Sequence, residues 1–129
     1  METDRPDVVA EIAEVFARYE TALVANDLAV LDELFWDDER TVRFGFGETL
    51  IGHAAVSADR RSRERQTSPR ALRSVTIATF GPAMATVNAE FVPHGTDAVG
   101  RQSQTWVRFD GGWRVVSAHV SWEGGRAPV

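Results

Sequence analysis

The groups in this chain whose types and spacing could do chemistry are phenol, guanidinium, amide, carboxylate and imidazole side chains, and the sequence contains no cysteine. Thiolate nucleophiles, disulfides and Cys-based metal sites are thereby excluded. Tyr19 falls on the apolar stripe of an amphipathic segment, so its ring must point inward. Two readings fit it: a core tyrosine whose hydroxyl is satisfied by a neighbour, or a phenol at a dry cavity that donates where negative charge develops. Arg43 lies in an alternating run, opposite Val42 and Phe44. It is either a surface charge or, if both faces of its strand are covered, a planar fork that grips a carboxylate bidentately.

In the run Gly100 to Phe109, Gln102, Gln104 and Trp106 share one side, and Arg101, Ser103 and Thr105 share the other. The amide-rich side suits a ligand with urea-like donors and acceptors. A polar outer face or a dimer surface is the competing reading. His119 shares a face with Ser117 and Ser121 and is a candidate substrate contact, although a lone histidine is more often a structural hydrogen-bonder than a base. Asn88, Glu90 and Glu48 are weaker candidates. The histidines His53, His94 and His119 show no HExxH spacing, and GxGxxG, GKS/T and GxSxG sequences are absent. No metal and no cofactor is therefore expected.

These residues need elements to hold them. From Pro6 to Leu23, Val8, Ile12, Val15, Phe16, Tyr19 and Leu23 form one helical stripe, with Asp4 and Asp7 at its start and Asn26 as a stop. Asp27 suits the N-cap of a short second helix that buries Leu28, Leu31, Leu34 and Phe35. Arg40 to Phe46 alternates as a strand with Val42, Phe44 and Phe46 on one side. Gly45, Gly47 and Gly52 break regular structure around Glu48. A third helix is predicted from His53 to about Arg65, its charged end read as a solvated face. Strands follow at Leu72 to Phe80, Ala83 to Val92, Gly100 to Phe109 and Trp113 to Trp122. Asp110-Gly111-Gly112 closes the last hairpin. The tail from Gly124 reads as frayed.

With 129 residues, 43% of them apolar, the chain has the size of one domain, its ordered core spanning about residues 5–123. A net charge of −5 and a pI near 5.1 argue against nucleic acid or anionic membrane as partners. No signal-like start or long apolar window is present, so a cytoplasmic location is the default expectation. Helices segregated to one side of a bent sheet make an α+β cone, and the wide end of a cone is a natural pocket.

The helix pair, the short strand and the ending WRVVSAHVSW (residues 113–122) resemble the NTF2-like superfamily, which includes ketosteroid isomerases. More closely, RPDVVAEIAEVFARYETALVANDLAVLDELFW, TVRFG and GRQSQTWVRF resemble AtzH and HpxZ-type proteins, linked to catabolism of cyanuric acid and oxalurate. The likeness runs from Arg5 to Trp122. It implies three N-terminal helices on a strongly curved, mostly antiparallel sheet, and a homodimer that converts 1,3-dicarboxyurea to allophanate; a partner amidase beside it belongs to the competing, non-catalytic reading. It also implies that a helix-one tyrosine and a first-strand arginine are needed for activity, positions matched by Tyr19 and Arg43. Phe44 departs from the aromatic hydroxyl expected there, and the third helix departs from the usual Phe-Arg-containing form. Ketosteroid isomerases carry a carboxylate base near Arg43 or Phe44, and here that acid is missing. An anionic substrate is expected instead of proton abstraction from carbon. A non-catalytic pocket for a small acid or ureide, or a dimerisation module, is the competing class.

Overall fold

The first helix, α1 (Pro6–Ala25), begins with a proline in its first turn and Asp7 near the positive end of its dipole. It ends at Asn26, whose left-handed backbone (φ 54°, ψ 47°) stops the helix. Asp27 then caps α2 (Leu28–Leu34), its carboxylate accepting the Val30 N–H at 3.3 Å. The computed structural model describes residues 1–63, 67, 69–125 and 127. Short strands β1 (Val42–Phe44) and β2 (Thr49–Ile51) follow, then α3 (His53–Ser62), and the long strands β3 (Arg70–Phe80), β4 (Met84–Pro93), β5 (Gly100–Phe109) and β6 (Gly112–Trp122).

The six strands form one curved sheet in the order β2-β1-β6-β5-β4-β3, with the three helices against it. Every pairing is antiparallel except β1 with β6. A bulge shapes the site. On β6, Val116 is an extra residue opposite the Thr105–Trp106 step of β5, so the inward face changes parity there. Trp113 and Val115 are buried before the bulge, and Ala118, Val120 and Trp122 turn inward after it. Ser117, His119 and Ser121 consequently face outward. The core joins Ile12, Phe16 and Tyr19 of α1 to Leu31, Leu34 and Phe35, and to Ala85, Val87, Trp106 and Val115 of the sheet.

Three expectations change. Thr49–Ile51 is a strand, paired through Arg43 opposite Leu50, where glycines suggested only irregular chain. Phe46 does not share a side with Phe44. The chain turns after β1, Gly45 N–H reaching the Glu48 carbonyl at 3.0 Å, and this swings Phe46 toward Trp122. The third helix ends at Ser62, and Glu64 and Arg65 lie outside the described residues. Of the tail, Glu123–Gly125 forms a turn in which Gly124 and Gly125 have positive φ. Among the described residues no helix is long and apolar enough to cross a membrane.

Candidate functional site

One row of the sheet makes the floor of the site. Leu50, Arg43, Ala118 and Gln104 are successive register partners across β2, β1, β6 and β5. Ala118 is small, so space opens above it. Arg43 and Gln104 flank that space two strand spacings, roughly 10 Å, apart. Tyr19 comes down from α1. Tyr19, Arg43, Ala118 and Gln104 line a cavity of about 420 Å³ together with Arg63, Arg70, Gln102, Val120 and a largely apolar mouth. Register and burial place the even residues of β5 on the cavity side, Gln102 and Gln104 being 6% and 3% exposed.

Packing fixes Tyr19. Its ring stacks on Phe16 at 6.1 Å, tilts against Phe35 at 6.3 Å and meets Trp106 edge-on at 6.1 Å. Gln104 is fixed by a hydrogen bond. The Trp106 indole N–H can only donate, and it does so to Gln104 Oε1 at 3.0 Å. The amide NH₂ of Gln104 is thereby left as the end available to a ligand. Trp106 itself is fully buried and does not line the cavity. It orients Tyr19 and Gln104 from behind, which corrects its expected place in contact with substrate.

Gln102 is already occupied. Its Oε1 accepts from Arg70 at 3.0 Å and its amide donates to Glu20 at 3.0 Å, while Arg70 pairs with Glu20 at 2.6 Å. Arg70 also lies 3.9 Å over the Phe91 ring. Gly100 makes that arrangement possible, since any Cβ there would collide with the same ring. His119 borders the cavity through its strand, but its ring meets exposed Phe44 edge-on at 5.8 Å on the outer face. Asn88 and Glu90 are also on the outer face, bonded to Ser103 and Ser74.

Electrostatics concentrate at the inner end. Arg43, whose side chain is 12% exposed, approaches Glu48 at 3.3 Å and Asp59 at 3.8 Å, and Arg63 holds Asp59 at 2.6 Å. Gly45 admits the Glu48 carboxylate, because a Cβ there would collide with it. The residue that sequence reading missed is Arg60. It is 4% exposed, it lies 4.7 Å over the Phe35 ring, and its Nη2 has no hydrogen-bond partner. Burial pushes its guanidinium below the ordinary arginine range; the Tyr19 hydroxyl beside it opposes that shift and Arg43 adds to it. Arginine has no acceptor, so a hydrogen bond between the two would have the phenol oxygen accepting and leave its own proton for the cavity. Among the described residues, Glu48 and Asp59 pair with Arg43 and Arg63, and Arg60 beside them has no ion-pair partner. One positive charge is left over. Among the same residues no cluster of three His, Asp or Glu side chains could hold a metal ion.

The family model described as AtzH-like matches residues 1–125. The chain belongs to the AtzH-like family. No curated protein matches it. Two solved structures are similar along nearly the whole length of this AtzH-like chain. A protein of unknown function of the DUF3225 family from Pectobacterium atrosepticum is 49% identical, with a TM-score of 0.90 and 94% of each chain covered. A cystatin-like fold protein from Burkholderia xenovorans is 41% identical, with a TM-score of 0.88, covering 95% of this chain and 96% of that one. An NTF2-like protein of unknown function from Pseudomonas putida is 20% identical with a TM-score of 0.76, over 95% of this chain and 94% of that one, a likeness that extends to the fold alone. This AtzH-like chain therefore has the NTF2-like fold.

Proposed function

We propose that this protein cleaves a small carboxylated urea without a cofactor, and that conversion of 1,3-dicarboxyurea to allophanate is the reaction its site suits best. What supports the reading is that Tyr19 and Arg43 line one cavity whose inner end carries a surplus positive charge. Arg43 grips one carboxylate with its planar fork. The Gln104 amide donates to the urea carbonyl. The second carboxyl then lies along Leu23, Phe91 and Val120, where it is poorly solvated and its loss as carbon dioxide is favoured. The N–C bond to that carboxyl breaks, its electron pair stays on nitrogen, and the Tyr19 hydroxyl supplies the proton. Allophanate and carbon dioxide result. The phenolate faces the Arg60 cation until water returns the proton.

Purified protein incubated with 1,3-dicarboxyurea and with oxalurate, read by mass spectrometry, tests this. Allophanate forming faster than in buffer is the expected result. Saturable binding with no product would instead assign a carrier of small acids.

Arg60 gives a second prediction. Arg60→Met keeps much of the side-chain volume and removes a buried cation that lacks a carboxylate. Such a replacement is neutral or stabilising for folding. The variant should therefore melt at or above the wild-type temperature while turnover falls about 10- to 100-fold. A large drop in melting temperature with unchanged turnover would make Arg60 a packing residue only.

A further inference from the structure

A small dianion fills only part of the cavity. Its 420 Å³ equals the room of about fourteen waters, and an acid of about ten non-hydrogen atoms fills less than half of that. The inner end, with Arg43, Tyr19 and Gln104, provides for such an acid. The outer half does not. Its wall is Leu23, Phe46, Pro69, Phe91, Pro93 and Trp122, and among the described residues the cation beside Phe91, Arg70, is already held by Glu20 and Gln102 and covers the Phe91 face. The single surplus charge at the inner end matches one carboxylate, and among the described residues a second carboxylate against the outer wall would find no free donor. Phe46 and Trp122 lie parallel there, 4.3 Å apart and 12° from coplanar, with Phe91 edge-on to Trp122 at 5.9 Å. Stacked rings ending at a cavity offer a flat face to another flat group.

We propose that the outer half of the cavity binds a flat, uncharged substituent, aryl or acyl, on the far nitrogen of a mono-anionic ureido acid. The inference rests on the carboxylate grip of Arg43 in the proposed function and names a substrate class for the same site. A carboxylate on the outer wall is driven to leave, whereas a ring is retained.

Calorimetric titration with a matched pair tests it. N-carbamoylglycine and N-(phenylcarbamoyl)glycine share one carboxylate and one urea and differ by a phenyl ring. The wild-type protein should bind the phenyl compound at least about tenfold more tightly. In Trp122→Ala and in Phe46→Ala the advantage should shrink below about threefold, with affinity for N-carbamoylglycine retained. Phe46 is 42% exposed, so its removal leaves the core intact. Equal or weaker binding of the phenyl compound overturns the inference and leaves the Arg43 grip standing. Failure of both compounds to bind wild type overturns both. An advantage that persists in the two variants places the ring elsewhere and also overturns it. So does a change of oligomeric state in Phe46→Ala by light scattering without any phenyl advantage, which would make the mouth a contact between copies.

Discussion

Replacing Arg43 by alanine should lower turnover of 1,3-dicarboxyurea at least about 100-fold, and Tyr19→Phe should do the same, since each removes a charge-assisted contact made where charge develops. Both variants should remain folded, which makes the loss interpretable. Asp59 keeps Arg63 as a partner when Arg43 is gone, and Glu48 is 35% exposed and can be solvated. Tyr19→Phe leaves the contacts with Phe16, Phe35 and Trp106 in place. Arg43→Lys separates charge from geometry. An ammonium preserves the attraction and loses the fork, so an intermediate rate is expected. Kinetics followed by allophanate formation, alongside circular dichroism, provide the check. Wild-type turnover in either Arg43→Ala or Tyr19→Phe would remove that residue from the chemistry.

The second large effect concerns stability. Glu20, Arg70 and Gln102 tie α1 to β3 and β5, and the side chains of Arg70 and Glu20 are only 8% and 11% exposed. Glu20→Ala strands a buried guanidinium with the Gln102 amide as its one remaining oxygen partner among the described residues. Breaking such a pair by removing one member costs about 3 to 5 kcal/mol. Urea unfolding of Glu20→Ala should show a loss of that size, with a smaller loss in Glu20→Gln, which retains a hydrogen-bond acceptor. A loss below about 1 kcal/mol would mean that the pair is solvated as a surface pair is.

The sequence reveals what repeats and hides what is paired at a distance. The 3.6-residue stripe of α1 and the glycine turn before Trp113 mark their elements, because one buried face and one tight turn each leave a local pattern. Strand β2 leaves none, being three residues set among glycines and held by pairing with β1. The parity change at Val116 is likewise invisible, since a bulge adds a residue without changing residue types. In the site, position alone leaves Tyr19 between core and cavity and Arg43 between surface and cavity, and it is the AtzH-like resemblance that points both to the cavity. Arg60 carried a usable signal. It stands four residues after Val56, and these two are the buried residues of α3, so helical phase alone sets it on the inner face. The surrounding run of charges concealed it. Glu20 and Arg70 offered no local clue, being partners fifty residues apart.

A crystal structure of the protein soaked with N-carbamoylglycine, an unreactive acid of the proposed kind, tests the central claim most directly. The acid should lie above Ala118, its carboxylate forked by Arg43 and its urea within hydrogen-bond distance of the Tyr19 hydroxyl. An acid bound away from Arg43, or a Tyr19 hydroxyl that makes no contact with it, would contradict the account.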